Sequence, residues 1–76
     1  MIKKELAARL VAERVPAIYY SLDGGHPSER LCLRHIANEW QVYYSERGEE
    51  TGLMTFGAEE EACDYFYCAL KEAWGL

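Results

Sequence analysis

Apolar positions early in the chain follow a helical period. In IKKELAARLVAERVP, Ile2, Leu6 and Leu10 recur every four residues with Ala7 and Val11 beside them, while Lys3, Lys4, Arg9 and Glu13 take other faces. This spacing predicts a short amphipathic helix. Pro16 cannot continue it and disfavours helical geometry at Val15, so the helix should stop near Arg14. AIYYSL at 17 to 22 then alternates, with Ile18, Tyr20 and Leu22 on one side and Ala17, Tyr19 and Ser21 on the other, the period of a strand.

DGGHPS at 23 to 28 is a cluster of turn formers. RLCLRHI at 30 to 36 and EWQVYYS at 39 to 45 are separated by little more than Ala37-Asn38, which predicts an antiparallel hairpin. ERGEET, with Gly48 inside it, leads to a fourth short strand, GLMTF at 52 to 56. Gly57 serves as the expected N-cap of a last helix, although Ser, Asp or Asn would cap more strongly. In AEEEACDYFYCALKEAW, Ala62, Phe66, Ala69, Leu70 and Ala73 form its apolar stripe. Glu59, Glu60 and Glu61 in its first turn and Lys71 near its end suit the helix dipole.

Residues 1 to 76 therefore read as one small α+β domain: helix, four-stranded antiparallel meander, helix. Each helix has a single apolar stripe, so both are expected on one face of the sheet. If that face carries Ile18, Tyr20, Trp40, Val42 and Tyr44, the other shows Tyr19, Ser21, Gln41, Tyr43 and Ser45. A meander would gather Asp23, His26, Glu29, Glu46, Arg47, Glu49 and Glu50 at one end of the sheet, with Trp74 nearby. Glu13, Arg14, Glu39 and Glu59 to Glu61 would gather at the opposite end.

Half of the 76 residues are hydrophobic, which suits a packed globule rather than a disordered acidic tail. Thirteen acidic against eight basic residues give a formal charge of -5, which disfavours nucleic acid or anionic membrane as the main partner and favours a basic protein. No apolar run approaches the roughly 18 residues of a membrane span, and nothing at the start reads as a signal peptide. Cys32, Cys63 and Cys68 lack the spacing of a disulfide scaffold, so free thiols in a cytoplasmic protein are expected.

Catalytic and metal chemistry find little support. Cys32 and His35, three apart on a strand, point to opposite faces; Cys63 and Cys68 lie about 140° apart around a helix. His26 sits in a Gly/Pro loop with acidic neighbours, where a general base would need a cleft and an orienting partner that so small a domain struggles to provide, and DGG lacks a phosphate-binding context. The reading is of a protein without enzymatic activity, cofactor or metal. The end holding Asp23, Tyr43, Glu46, Arg47, Glu49 and Glu50 is the expected partner-binding surface, because the acidic run at Glu59 to Glu61 already has a local explanation in the helix dipole. Tyr offers contact area and a hydroxyl at low entropic cost.

YSLDGGHPSE, EWQVYYSERG and TFGAEEEACDYFYCAL together resemble small bacterial immunity proteins of polymorphic-toxin and contact-dependent inhibition systems, which combine a YSLDGG-like turn, a W-x-V-Y-Y-S-E-R-G strand and an acidic EACxYF-type helix. The resemblance spans residues 16 to 70. It implies a cytosolic protein, encoded beside a toxin, that binds the toxin domain and blocks it; many such toxins are nucleases, whose basic clefts would attract an acidic inhibitor. It assigns no site residues. The alternative is a structural or adaptor domain acting through homodimerisation, by the tyrosine-bearing face or a strand edge.

Overall fold

The structure, a computed structural model described over residues 1–75, contains two helices and a four-stranded mixed sheet. Helix α1 spans Lys3–Ala12; a single 3-10 turn over Ala17–Tyr19 leads into β1 (Tyr20–Ser21). Strands β2 (Arg30–Ile36), β3 (Glu39–Glu46) and β4 (Glu49–Phe56) follow, and then α2 (Glu59–Trp74). The strand order is β1-β2-β3-β4.

The expected all-antiparallel meander needs one correction. β2, β3 and β4 pair antiparallel, whereas β1 pairs parallel with β2, Tyr20 opposite Leu31 and Ser21 opposite Cys32. The predicted strand at 17 to 22 is reduced to two residues, and Ile18 points outward, 65% exposed. The cause lies in residues 22 to 29, which do not reverse the chain in a tight turn. They continue along β2, where Gly24 N–H donates to the Leu33 carbonyl at 3.0 Å, and then pass over the sheet until His26 meets Glu50 on β4. The chain re-enters at Arg30 in its original direction. Parallel crossovers ordinarily need a dozen or more residues because they carry a helix. This one is a loop lying directly on the sheet, and the φ of +69° at Gly24 and +82° at Gly25 gives it the left-handed turns it needs.

The two hairpins use two-residue turns. Arg47 and Gly48 both have positive φ, as do Ala37 (51°) and Asn38 (63°), the pattern of a primed turn whose twist matches the strands it joins. Ala37 is an unusual occupant, since an L residue with a Cβ is strained there by roughly 1–2 kcal/mol. β4 carries one extra residue: from Val42 to Tyr44 on β3 the partners run from Met54 to Thr51, so two β4 residues, Gly52 and Leu53, oppose Tyr43. Gly52, at φ +63°, makes this bulge accessible to the backbone.

Helix α1 ends as its sequence suggests. Arg14 turns left-handed at φ 58°, Val15 N–H donates to the Leu10 carbonyl and Arg14 N–H to that of Val11, both at 3.0 Å. This is a Schellman closure, completed by burial of Leu10 and Val15 in the same core, with Pro16 immediately beyond. At the other end Ile2 N–H donates to Glu5 Oε1 at 3.0 Å and Lys3 N–H to Glu59 Oε2 at 2.7 Å, so a carboxylate of α2 serves an orphan amide of α1. The α2 N-cap is Ala58 rather than Gly57.

Lys3 meets Glu59, and Glu13 meets Tyr67 and Lys71, so the helices lie side by side in the same direction. This separates Glu13 from Glu59 to Glu61, which had been expected at one end. The core joins Leu6, Leu10 and Val15 to Leu33 and Val42 of the sheet and to Ala62, Cys63, Phe66 and Leu70 of α2. α2 packs against β2, β3 and β4, and α1 against α2. Ala73, expected in the stripe, is exposed.

Replacing Ala37-Asn38 with Asn-Gly should relieve the strained turn and raise stability by about 1 kcal/mol. Urea unfolding monitored by circular dichroism should show a higher midpoint with an unchanged slope.

Candidate functional site

Strand alternation places Cys32, Arg34, Gln41, Tyr43, Ser45 and Glu50 on the sheet face opposite Leu33 and Val42, as the cross-strand pairs Cys32–Tyr43, Arg34–Gln41 and Ser45–Glu50 require. This face was expected to be open. Instead the crossing loop covers much of it, and Cys32, Tyr43 and Ser45 are all fully buried. Tyr43 therefore does not face outward. Its hydroxyl donates to the Gly25 carbonyl at 2.7 Å, anchoring the loop, and Ser45 Oγ lies buried without a hydrogen-bond partner among the described residues.

Arg34 completes the cover. Its guanidinium stands 4.4 Å from the centroid of the Tyr43 ring, donates from Nε (2.8 Å) and Nη2 (2.6 Å) to Gln41 Oε1, and forks onto both carboxylate oxygens of Glu50 at 2.6 and 3.0 Å. A forked pair of this kind combines charge with fixed geometry. His26 Nε2 shares Glu50 Oε2 at 2.9 Å, so the loop is pinned at two points. The hydrogen bonds from Arg34, above all, hold the Glu50 carboxyl below its ordinary value of 4.5, with His26 adding to the effect. Burial pushes the Tyr43 phenol up.

The six residues expected to bind a partner are thus divided among three places. Asp23 is exposed but lies beside the α1 N-terminus, where Lys3 Nζ bonds it at 3.1 Å. Tyr43 is beneath the loop, and Glu50 is engaged by Arg34 and His26. Glu46, Arg47 and Glu49 alone remain exposed together, at the β3–β4 turn. The expected cluster failed to form because β1 runs parallel to β2, carrying Asp23 away from that turn.

At the same end of the sheet lies a feature that sequence reasoning did not assemble: an open cleft of about 360 Å³ lined by Ile18, Tyr19, Ser28, Glu29, Arg30, Tyr44 and Trp74. Tyr19 and Trp74 stack with ring centroids 4.1 Å apart and planes 11° from parallel, fixing Trp74 although it is 39% exposed. Glu29 forms part of the lip in left-handed geometry, φ 54°. Burial pushes the Tyr44 phenol up, with the carboxylates of Glu29 and Glu46 adding to the effect. Trp74 lies near this end, as the meander implied, but its contact with Tyr19 joins two distant segments that share no motif.

Cys32 and Cys63 are buried free thiols, with burial pushing Cys63 up to about 11. Such groups are poor nucleophiles at neutral pH. Among the described residues, no group of three or more His, Cys, Asp or Glu is gathered to hold a metal, and no helix is long and apolar enough to cross a membrane. No protein-family model, curated protein or solved structure matches this chain.

The loop anchors make two predictions. Tyr43→Phe should cost about 1 kcal/mol and speed amide exchange at Gly24, Gly25 and His26 more than elsewhere, as read by hydrogen exchange followed by NMR. Because the folded Glu50 carboxyl lies below 4.5, its stabilisation is complete above that pH and is lost as pH falls through the folded value. Glu50→Gln should therefore lower the thermal midpoint at pH 7 and shrink its decline on acidification.

Proposed function

We propose that this chain is a non-enzymatic, cytoplasmic immunity protein that neutralises a cognate toxin domain by stoichiometric binding. The single observation that carries the reading is the sheet end where an aromatic cleft adjoins the exposed charges of Glu46, Arg47 and Glu49. Apolar contact area beside a charged rim is the anatomy of a protein-binding surface. The resemblance of YSLDGG, WQVYYSERG and EACDYF to immunity proteins supplies the partner class. The net charge of -5 would favour fast encounter with a basic toxin such as a nuclease.

The reading takes both helices as a cover over the sheet face bearing Leu33 and Val42, and the crossing loop as a cover over much of the other. The free surface is then concentrated at the ends and along the β4 edge. Of the ends, that with Trp74 and Tyr44 combines aromatic area with charge. Burial of Tyr43 and pairing of Glu50 remove them from this surface; Glu46, Arg47 and Glu49 stay in it, and Tyr19, Glu29, Tyr44 and Trp74 join them.

Co-expression with the toxin domain encoded by the adjacent upstream gene should restore growth and yield a co-purifying 1:1 complex. Charge reversal at Glu46 and Glu49 should slow association and weaken its dependence on salt, measured by stopped flow or biosensor kinetics. Absence of both rescue and binding would overturn the proposal.

A further inference from the structure

Four features converge on the cleft beside Trp74. Its lining includes Tyr19, Tyr44 and Trp74, and aromatic π-systems attract a cation within about 6 Å of the ring centroid. Helix α2, sixteen residues long, ends there with Gly75 left-handed at φ 66°; the carbonyl end of a helix favours positive charge, and Lys71 in its last turn is directed to Glu13 and Tyr67. Glu29 is part of the lining, and Glu46, two residues beyond Tyr44 on β3, lies on the same face of that strand. Against these, Arg30 contributes one positive charge to the lining.

Two carboxylates and a helix C-terminus outweigh that one guanidinium. The stacking of Trp74 on Tyr19 also means that little conformational freedom remains to be lost when the outer faces of the stack are covered. Glu29 is held in a backbone geometry that a residue bearing a Cβ rarely adopts.

From these observations we infer that the cleft receives a single basic side chain, arginine or lysine, projecting from the partner protein. The stem packs against Ile18 and the ring faces, and the cationic head lies between Trp74, Tyr44 and the Glu29 carboxylate. This inference rests on the protein-binding reading above and adds to it the chemistry of the partner's anchor.

The test uses the full chain and three probes: the N-acetyl methylamides of arginine, lysine and glutamate, titrated at low salt and followed by 1H–15N NMR. The arginine and lysine probes should shift the Trp74 indole N–H and the Ser28, Glu29 and Arg30 amides saturably, and the glutamate probe should not. Glu29→Gln and Trp74→Ala should each weaken binding about two- to fivefold. Glu29 is exposed, so its variant keeps the test valid even if Trp74→Ala unfolds. No saturable shift, equal response to glutamate, or undiminished binding by Glu29→Gln would overturn the inference.

The two proposals fail separately. A toxin complex of undiminished affinity with Glu29→Gln would discard the cleft and leave the inhibitor reading intact. Capture of the basic probes without binding or rescue by the adjacent toxin would do the reverse.

Discussion

Burial of Tyr43 on the sheet face opposite Leu33 is the constraint on which the architecture depends. A ring of that size, with Cys32 and Ser45 beside it, needs a cover, and in so short a chain the nearest available one is the segment between the first two strands. To lie over Tyr43 that segment must cross the sheet and return, which aligns β1 parallel to β2. The same crossing separates Asp23 from the β3–β4 turn and draws Glu50 toward His26 and Arg34. One tyrosine hydroxyl on one glycine carbonyl thus governs which acidic residues remain free.

Elements whose cause is local were legible in the sequence. Both helices followed from apolar spacing, and the end of α1 from Pro16; the β2–β3 register followed from the short Ala37-Asn38 connection. Alternation put Tyr43 on its true face but could not reveal its cover, because the loop that buries it is held by contacts across three strands. The direction of β1 was lost for the same reason. At the candidate site, Glu46, Arg47 and Glu49 were legible because a charged turn needs no tertiary partner to be exposed. Glu50 was not, since Arg34 reaches it diagonally across the sheet, and the stacking of Tyr19 on Trp74 depends on where α2 ends.

The molecule also divides its polar interactions by region. Between the helices, Glu13 joins Tyr67, Lys71 and Arg9, and hydrogen bonds from Tyr67, then Lys71, hold its carboxyl below the ordinary value. Over the sheet, Arg34 binds Gln41, Glu50 and the Tyr43 ring. These networks fix α1 to α2 and the loop to the sheet, so the charged groups within them are already oriented inward or along the surface. Among the described residues, no comparable network spans the β3–β4 turn, where Glu46, Arg47 and Glu49 are exposed.

The bulge at Gly52 bears on how the protein behaves when crowded. β4 is the long outer strand of the sheet and shows Leu53 and Met54 to solvent, a combination that ordinarily invites stacking of strands from many chains into fibrils. An extra residue at Gly52 puts the amides and carbonyls on either side of it out of step. A neighbouring copy can match one half of the edge or the other, but not a continuous eight-residue ladder. The bulge thus works against edge-to-edge pairing on a strand that shows Leu53 and Met54 to solvent.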